Sequence, residues 1–192
     1  AKEEYAKRRY TEVAPPFRDE FQIDCERILN SKEYRRLSGK TQLFVSSYDD
    51  NMRTRLTHTM EVAYIAGIIA HALGLNEALT EAIALGHDVG HTPFGHAGER
   101  TLNIIMNGCQ EVSDNELYGY TKGISDQNLG FKHNLQSVNV ATTLESINQN
   151  YCGLNLTNYT LWGIRNHTSE FYHKKCSYYI EDTKKCSYKN AD

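Results

Sequence analysis

Apolar residues recur at intervals of three and four along most of this chain, which is the spacing of one face of an α-helix. The clearest stretch predicts a helix from about Thr54 to Leu73, and Gly74 directly after it is typical of a helix end. The same spacing predicts further helices over about 24–37, 76–87, 96–106, 132–148 and 157–167. Because period-two alternation is scarce and the chain has only 3 prolines, we predict an all-α helical bundle.

Two segments depart from the helical spacing. Residues 107–130 are polar and rich in Gly and Asn, which predicts a surface loop. Near the end of the chain, Lys174–Tyr178 recurs as Lys184–Tyr188, with Glu181-Asp182-Thr183 between the two copies. Two such Tyr- and Ser-containing runs on either side of a polar turn predict a short β-hairpin.

Composition indicates one compact domain of 192 residues, 40% of them hydrophobic, which is enough for a substantial core. The net charge of -3 produces no global field that attracts nucleic acid, although a local basic patch is compatible with it. The 5 cysteines are odd in number and form no CxxC pair, which indicates free thiols in a reducing compartment. With a polar N-terminus, and with its longest apolar run (63–75) too short to span a bilayer, the chain is expected to be cytoplasmic and without a membrane partner.

Residues 86–99 carry most of the chemical information, because three histidines and two carboxylates fall within this one segment. His87 and Asp88 lie side by side where a predicted helix ends, and His58 lies near the start of the preceding helix. The first helix extends about 26 Å from His58 to its C-terminal end, and the second helix leads back over part of that distance. Antiparallel packing of the two helices would therefore bring His58 close to His87.

An imidazole–imidazole–carboxylate set suits a divalent metal such as Mn, Fe, Ni, Zn or Mg. We therefore predict that His58, His87 and Asp88 bind a metal ion and leave coordination positions open for water and substrate. The alternative for any one of these histidines is a hydrogen bond to a neighbour on the helix surface. The adjacent motif, together with the three donors, favours the metal site.

Further along the segment, His96 and Glu99 are three residues apart at the start of a predicted helix and share a face. A carboxylate beside an imidazole favours the imidazolium, which can act as a general acid. His91 could donate to a phosphate oxygen, and Arg55, one turn before His58, could hold a phosphate with its planar fork. The alternative is a histidine-rich turn with an ordinary surface ion pair. Spacing alone assigns no chemical role to Gln42 or His133.

Four runs together resemble the HD-domain deoxynucleoside triphosphate triphosphohydrolases, the dGTPase-like family. They are Tyr34–Phe44, Arg53–Val62, His87–Glu99 and Phe131–Ser137, in the order expected for the family. The resemblance covers about residues 18–167. It implies hydrolysis of a dNTP to deoxynucleoside and inorganic triphosphate by a homo-oligomer that in some members takes nucleotide effectors or single-stranded nucleic acid.

Roles for individual residues also follow from the resemblance. The family pattern makes His58, His87 and Asp88 metal ligands, and it makes His96, Glu99 and His133 catalytic residues near the α-phosphorus. Substrate contacts are implied for Gln42, Arg55, His91 and His133.

One departure from the family pattern concerns the fourth metal ligand, an aspartate on a later helix in a run like Asp-x-Ile-Ala-Tyr. Asp182 and Asp192 are the late aspartates of this chain, and neither has that context. We therefore expect residues 1–192 to form a single HD domain, a fragment that lacks the C-terminal helical region of the family. Two alternatives stay open: another HD-type nucleotide phosphohydrolase, or a non-catalytic domain that binds nucleotide or metal and regulates a partner.

Overall fold

A computed structural model describes residues 1–13, 15–40, 53–106, 131–168, 179–180 and 185–186. The helices in these ranges are α1 (Glu20–Asn30), α2 (Lys32–Arg36), α3 (Arg55–Ala72), α4 (Glu77–Gly86), α5 (Gly95–Met106), α6 (His133–Asn139) and α7 (Asn158–Asn166). Short 3₁₀ turns occur at Glu3–Tyr5 and Leu37–Gly39, and a π-helical turn, Val140–Leu144, continues α6. Strands β1 (Tyr179–Ile180) and β2 (Lys185–Cys186) pair antiparallel. The all-α class and the short hairpin are confirmed.

Local capping explains why α3 begins and ends, and α4 begins, close to their predicted positions. Thr54 precedes α3 and its hydroxyl accepts a hydrogen bond from the Thr57 amide, while Asn76 caps α4 through the Leu79 amide. Between the two helices, Gly74 adopts a positive φ of 65°, which a residue without a Cβ tolerates. The turn at Gly74 is therefore encoded locally, and α3 and α4 pack against each other along their lengths.

Two predicted helices were too long. The stretch 24–37 was predicted as one helix, but the chain is extended at Ser31, whose hydroxyl caps a separate helix α2. The helical stretch predicted over 132–148 ends at Leu144, because the backbone becomes extended at Glu145, whose buried carboxylate accepts a hydrogen bond from the Glu33 amide. The predicted loop over 107–130 lies outside the described residues.

The core that positions the functional residues lies where α1, α4 and α7 meet. Ile28 of α1, Leu85 of α4 and Ile164 of α7 are buried together there. A Cβ added at Gly163 would lie 2.2 Å from Cδ1 of Ile83, so α7 approaches α4 more closely than any larger residue would allow. This close approach brings the C-terminal ends of α4 and α7 side by side.

A buried carboxylate fixes the other end of α7. Asp24 of α1 is fully buried and accepts hydrogen bonds from the Thr157 amide and hydroxyl and from the Thr160 hydroxyl. Its second oxygen accepts a hydrogen bond from Arg8 across 2.6 Å. Buried carboxylates are tolerated when they are paired and fully hydrogen-bonded, as here. Asp24 thus anchors the start of α7 to α1 and sets where α7 ends.

None of the described helices is both long and apolar enough to cross a membrane.

Candidate active site

The predicted metal-binding residues come together where α3 begins and α4 ends. One potential ligand atom from each of His58, His87 and Asp88 lies within 4.8 Å of the other two. Ligand atoms at about 2.1 Å from one ion are at most about 4.2 Å apart, so small side-chain rotations would bring all three onto one cation. The antiparallel packing of α3 and α4 produces this convergence.

The His87 ring is oriented for coordination by its own helix. Its Nδ1 donates a hydrogen bond to the Ala84 carbonyl oxygen across 2.6 Å, which leaves the lone pair of Nε2 facing Asp88 Oδ1 at 3.5 Å. Ligating histidines in proteins are commonly oriented in this way through their other nitrogen. The donor set therefore fits a divalent cation.

The charge states of the other two donors also suit a metal. Burial lowers the pKa of His58, so its imidazole is neutral near pH 7. Burial raises the pKa of Asp88, but His87 and Arg55 outweigh that effect and hold it below its usual value. A neutral imidazole and an ionised carboxylate are the forms that bind metal ions.

Arg55, predicted as a phosphate contact one turn before His58, is almost completely buried, with 1% of its surface exposed. Its Nη1 donates a hydrogen bond to Asp88 Oδ2 across 2.6 Å. Its Nε and Nη2 have no hydrogen-bond partner among the residues that the structure describes. A buried guanidinium with two unused donors can still bind an anion, so the phosphate role stays a prediction.

A tight turn at Pro93–Gly95 brings the second half of the histidine-rich segment back beside the first. Phe94 and Gly95 both have positive φ, 64° and 60°. The rings of His91 and His96 consequently lie 5.1 Å apart, in a T-shaped arrangement. His91, His96 and Glu99 also place one potential ligand atom each within 4.8 Å of one another.

Glu99 joins α5 to α6 through its two carboxylate oxygens. Oε2 accepts a hydrogen bond from His96 Nδ1 at 3.2 Å, and Oε1 accepts from both the amide and Nδ1 of His133 at 3.2 and 3.0 Å. Burial raises the pKa of Glu99, but these hydrogen bonds outweigh burial and hold it at about 2. Glu99 is therefore an anion at neutral pH, and it orients both histidines.

The metal-binding set and the Glu99 set form one continuous cluster of imidazole rings. Centroid distances are 5.9 Å from His58 to His87, 5.4 Å from His87 to His167, 5.2 Å from His167 to His133 and 4.8 Å from His133 to His91. Burial and the nearby Arg55 charge lower the pKa of His91 to about 4, and its Nε2 has no hydrogen-bond partner within the described ranges. His91 is thus a neutral ring with an unused buried nitrogen, and it lies beside the rings of His96 and His133.

Three residues of this site were missed by the sequence analysis. His167 lies between the two sets, the hydroxyl of Ser137 joins the Gly90 amide to the His87 carbonyl, and Lys40 Nζ donates to the His91 carbonyl across 2.8 Å. The one signal in the sequence is that His167, like His87, directly follows a helix. The predicted contact Gln42 and the late aspartates Asp182 and Asp192 lie outside the described residues.

Comparison with known proteins matches residues 55–174 to the family described as the HD domain. The matched region includes His58, the His87–Glu99 segment and His133, which carry the geometry described above.

Several curated relatives carry the name deoxyguanosinetriphosphate triphosphohydrolase-like protein. One from Caldanaerobacter subterraneus subsp. tengcongensis is 50% identical over 79% of this chain and 38% of the relative. One from Nitrobacter hamburgensis is 44% identical over 88% of this chain and 37% of the relative. One from Bordetella pertussis is 47% identical over 84% of this chain and 38% of the relative. The chain thus spans less than two fifths of the length of these relatives. The match over residues 55–174 shows that the chain belongs to the HD domain family, and the chain is similar to proteins named deoxyguanosinetriphosphate triphosphohydrolase-like.

Proposed function

We propose that this chain carries the metal-binding and proton-transfer groups of a deoxynucleoside triphosphate triphosphohydrolase with dGTP-like substrates. The observation that carries the proposal is the single cluster in which the His58, His87 and Asp88 donors adjoin the Glu99, His96 and His133 group. Hydrolysis of a phosphate ester needs both parts close together, because charge on the phosphoryl oxygens must be stabilised while protons move. The names of the curated relatives support the choice of substrate.

Each part has a distinct task in this proposal. A divalent metal held by His58, His87 and Asp88 would supply Lewis-acid stabilisation of a phosphoryl oxygen and lower the pKa of water. Arg55 offers the unused buried N–H groups of its Nε and Nη2 to a phosphate oxygen, and His91 stays a predicted phosphate contact.

Proton movement falls to His96, which is the exposed member of the Glu99 pair, with 63% of its side chain accessible. In the overall reaction, the water oxygen bonds to the α-phosphorus, the bond from that phosphorus to the 5′ oxygen breaks, and a proton passes from water to the 5′ oxygen. His96, held through Nδ1 by Glu99, keeps Nε2 for that transfer, and His133 supports Glu99 from the other side.

The products identify the reaction. Purified protein supplied with Mn²⁺ and dGTP should release deoxyguanosine and inorganic triphosphate in equal amounts. A panel of dGMP and cyclic nucleotides tests the alternative of another HD-type phosphohydrolase, and release of orthophosphate from dGTP would reject the proposal. Tight dNTP binding with no turnover would favour the regulatory alternative.

Two variants separate the two halves of the site. Asp88→Ala should lose both Mn²⁺ binding and turnover, whereas His96→Ala should keep Mn²⁺ binding and lose turnover. His71→Ala is the matched control, because His71 is an exposed histidine of α3 paired only with Glu77 among the described residues. Loss of Mn²⁺ binding in His96→Ala would contradict the division of roles.

Assembly and location are also proposals. A homo-oligomer is supported by the apolar side chains that α3 leaves exposed, which are Met60, Tyr64, Ile65, Ile68 and Ile69. Light scattering after size-exclusion chromatography measures the mass in solution, and a monomer at micromolar concentration would count against the homo-oligomer. A domain spanning 1–192 as part of a longer protein, a cytoplasmic location, and a nucleotide effector or single-stranded nucleic acid as partner remain predictions.

A further inference from the structure

His167 occupies a position that none of the roles above explains. It follows the last residue of α7, and its ring contacts both His87 of the metal-binding set and His133 of the Glu99 set. Its Nδ1 donates a hydrogen bond to the Ile164 carbonyl oxygen across 2.7 Å, and its Nε2 lies 3.1 Å from Nε2 of His133. One nitrogen of His167 is thus tied to its own helix, and the other faces the His133 ring.

The His133 ring is consequently bound at both of its nitrogens. Glu99 accepts from Nδ1 across 3.0 Å, and on the opposite edge Nε2 lies 3.1 Å from Nε2 of His167. Because Nδ1 of His167 already donates to Ile164, its Nε2 carries a lone pair, and the hydrogen bond there has Nε2–H of His133 as its donor. The face of the ring stacks on His91, with an angle of 21° between the two planes. A ring held at both nitrogens and on one face has a single orientation, whereas a ring held by Glu99 alone could pivot about that one hydrogen bond.

Contacts of α7 with α4, α1 and α6 fix the position of His167. Gly163 permits the close approach of α7 to α4, and Asp24 anchors the first turn of α7. At the other end, Asn134 of α6 donates from its amide nitrogen to the Arg165 carbonyl oxygen across 2.6 Å. The end of α7 is therefore tied to α6 next to the pair of histidines, and their contact follows from the packing of the core.

We propose that His167 is a positioning residue that holds the His133 ring against Glu99. Through Glu99, which also binds Nδ1 of His96, the same contact sets the geometry of the group assigned to proton transfer. The consequence for turnover rests on the proposed function, while the orientation of the His133 ring does not.

The first test measures the ring itself and needs no activity. Long-range ¹H–¹⁵N NMR spectra of the metal-free protein report which ring nitrogens of His133 carry protons, and whether the ring has one environment. We expect one set of His133 signals with protons on both ring nitrogens, averaged or multiple signals in His167→Ala, and recovery in His167→Gln, whose amide oxygen can accept from the same nitrogen. His71→Ala is the control. Unchanged His133 signals in a folded His167→Ala protein would overturn the proposal.

The second test measures turnover and metal binding together. Loss of an orienting partner of a functional group typically costs 10–100-fold in activity, and we expect about that fall in kcat for His167→Ala, with KM and Mn²⁺ affinity unchanged. A parallel fall in Mn²⁺ affinity would make His167 a metal ligand and would overturn the positioning role. If wild-type protein turns over no nucleotide, the proposed function fails, and the NMR result alone decides the role of His167.

Discussion

Arg55 Nη1 donates a hydrogen bond to Asp88 Oδ2 across 2.6 Å, and both side chains are almost completely buried. Because of this contact, the two oxygens of the Asp88 carboxylate have different surroundings. Oδ2 is bound by the guanidinium, while Oδ1 faces Nε2 of His87 on the side where a cation fits. Arg55 therefore orients the carboxylate ligand, a role that its position one turn before His58 did not predict.

Replacing Arg55 by Met should weaken both the fold and the metal site. Removing one partner of a buried ion pair typically costs about 3–5 kcal/mol, because the remaining charge stays buried without its partner. We expect the free energy of unfolding in urea to fall by about 3 kcal/mol. Mn²⁺ affinity, measured by isothermal titration calorimetry, should fall about 10–100-fold, since the carboxylate loses its orienting contact.

Arg53→Met provides the matched control for that prediction. Arg53 pairs with Glu61, but both side chains are about half exposed. Exposed pairs typically contribute less than about 1 kcal/mol. Equal losses of stability and Mn²⁺ affinity in Arg53→Met and Arg55→Met would show that the contact between Arg55 and Asp88 does not cause them.

Gly90→Ala should disrupt the turn that carries His87, Asp88 and His91. A Cβ at Gly90 would lie 2.2 Å from the Ser137 amide nitrogen, which is backbone of α6 and cannot rotate away. The Gly90 amide also donates to the Ser137 hydroxyl across 2.9 Å. We expect a loss of at least about 1–3 kcal/mol in the free energy of unfolding, the range typical of overpacking.

Gly67→Ala is the opposite case, measured by the same urea denaturation. Gly67 lies inside α3, and a Cβ there meets nothing within 4 Å. Alanine is the better helix former by about 1 kcal/mol, so this variant should be more stable than wild type. Similar destabilisation by both alanines would contradict the close approach of α6 to the Gly90 turn.

His91 should make the stability of the metal-free protein depend on pH. Its pKa is about 4 in the folded protein, where burial disfavours the charged ring, against 6.5 for the ordinary side chain. Between these values the unfolded chain binds more protons, so the contribution of His91 is retained above about pH 6.5 and is lost as the pH falls toward 4. The full difference between the two pKa values corresponds to at most about 3 kcal/mol in the free energy of unfolding.

The variant His91→Asn removes that titration. Its free energy of unfolding, measured in urea between pH 7 and 4, should fall less steeply with decreasing pH than that of wild type. The exposed histidine variant His71→Asn should follow the wild-type curve. A wild-type slope in His91→Asn would mean that another group produces the pH dependence.

Asp24→Asn tests the anchor of α7. The amide offers one acceptor oxygen where the carboxylate offers two, and its NH₂ group would face donors from Arg8 or from Thr157 and Thr160. We expect the free energy of unfolding to fall by about 3 kcal/mol, as for a broken buried pair. Asp19→Asn is the control, because Asn and Asp cap helices about equally well, and the Asp19 side chain accepts from the first-turn Gln22 amide of α1, its one side-chain hydrogen bond among the described residues. Equal effects would show that the burial of Asp24 is irrelevant.

Helix positions were predictable where the cap lies beside the helix in sequence. Thr54 and Gly74 define the two ends of α3, and Asn76 defines the start of α4, through contacts within four residues, so those bounds were predicted to within a few residues. The break at Ser31 was not predicted, because it interrupts an apolar pattern that continues through it. The end of the π-helical turn at Leu144 depends on Glu145 reaching the distant Glu33 amide, which no local pattern contains.

The sequence by itself determined the all-α class, the segments that carry the candidate chemistry and the meeting of His58 with His87, because helical spacing and short connections restrict how neighbouring helices pack. The tertiary structure decided which groups orient the side chains of the candidate site. The contact of Arg55 with Asp88, of His133 with Glu99 and of His167 with His133 each join residues more than thirty positions apart. The first contact depends on how α3 packs on α4, and the other two depend on how closely α6 and α7 approach α4 and the histidine-rich segment. These distances are set by core packing rather than by any local sequence pattern.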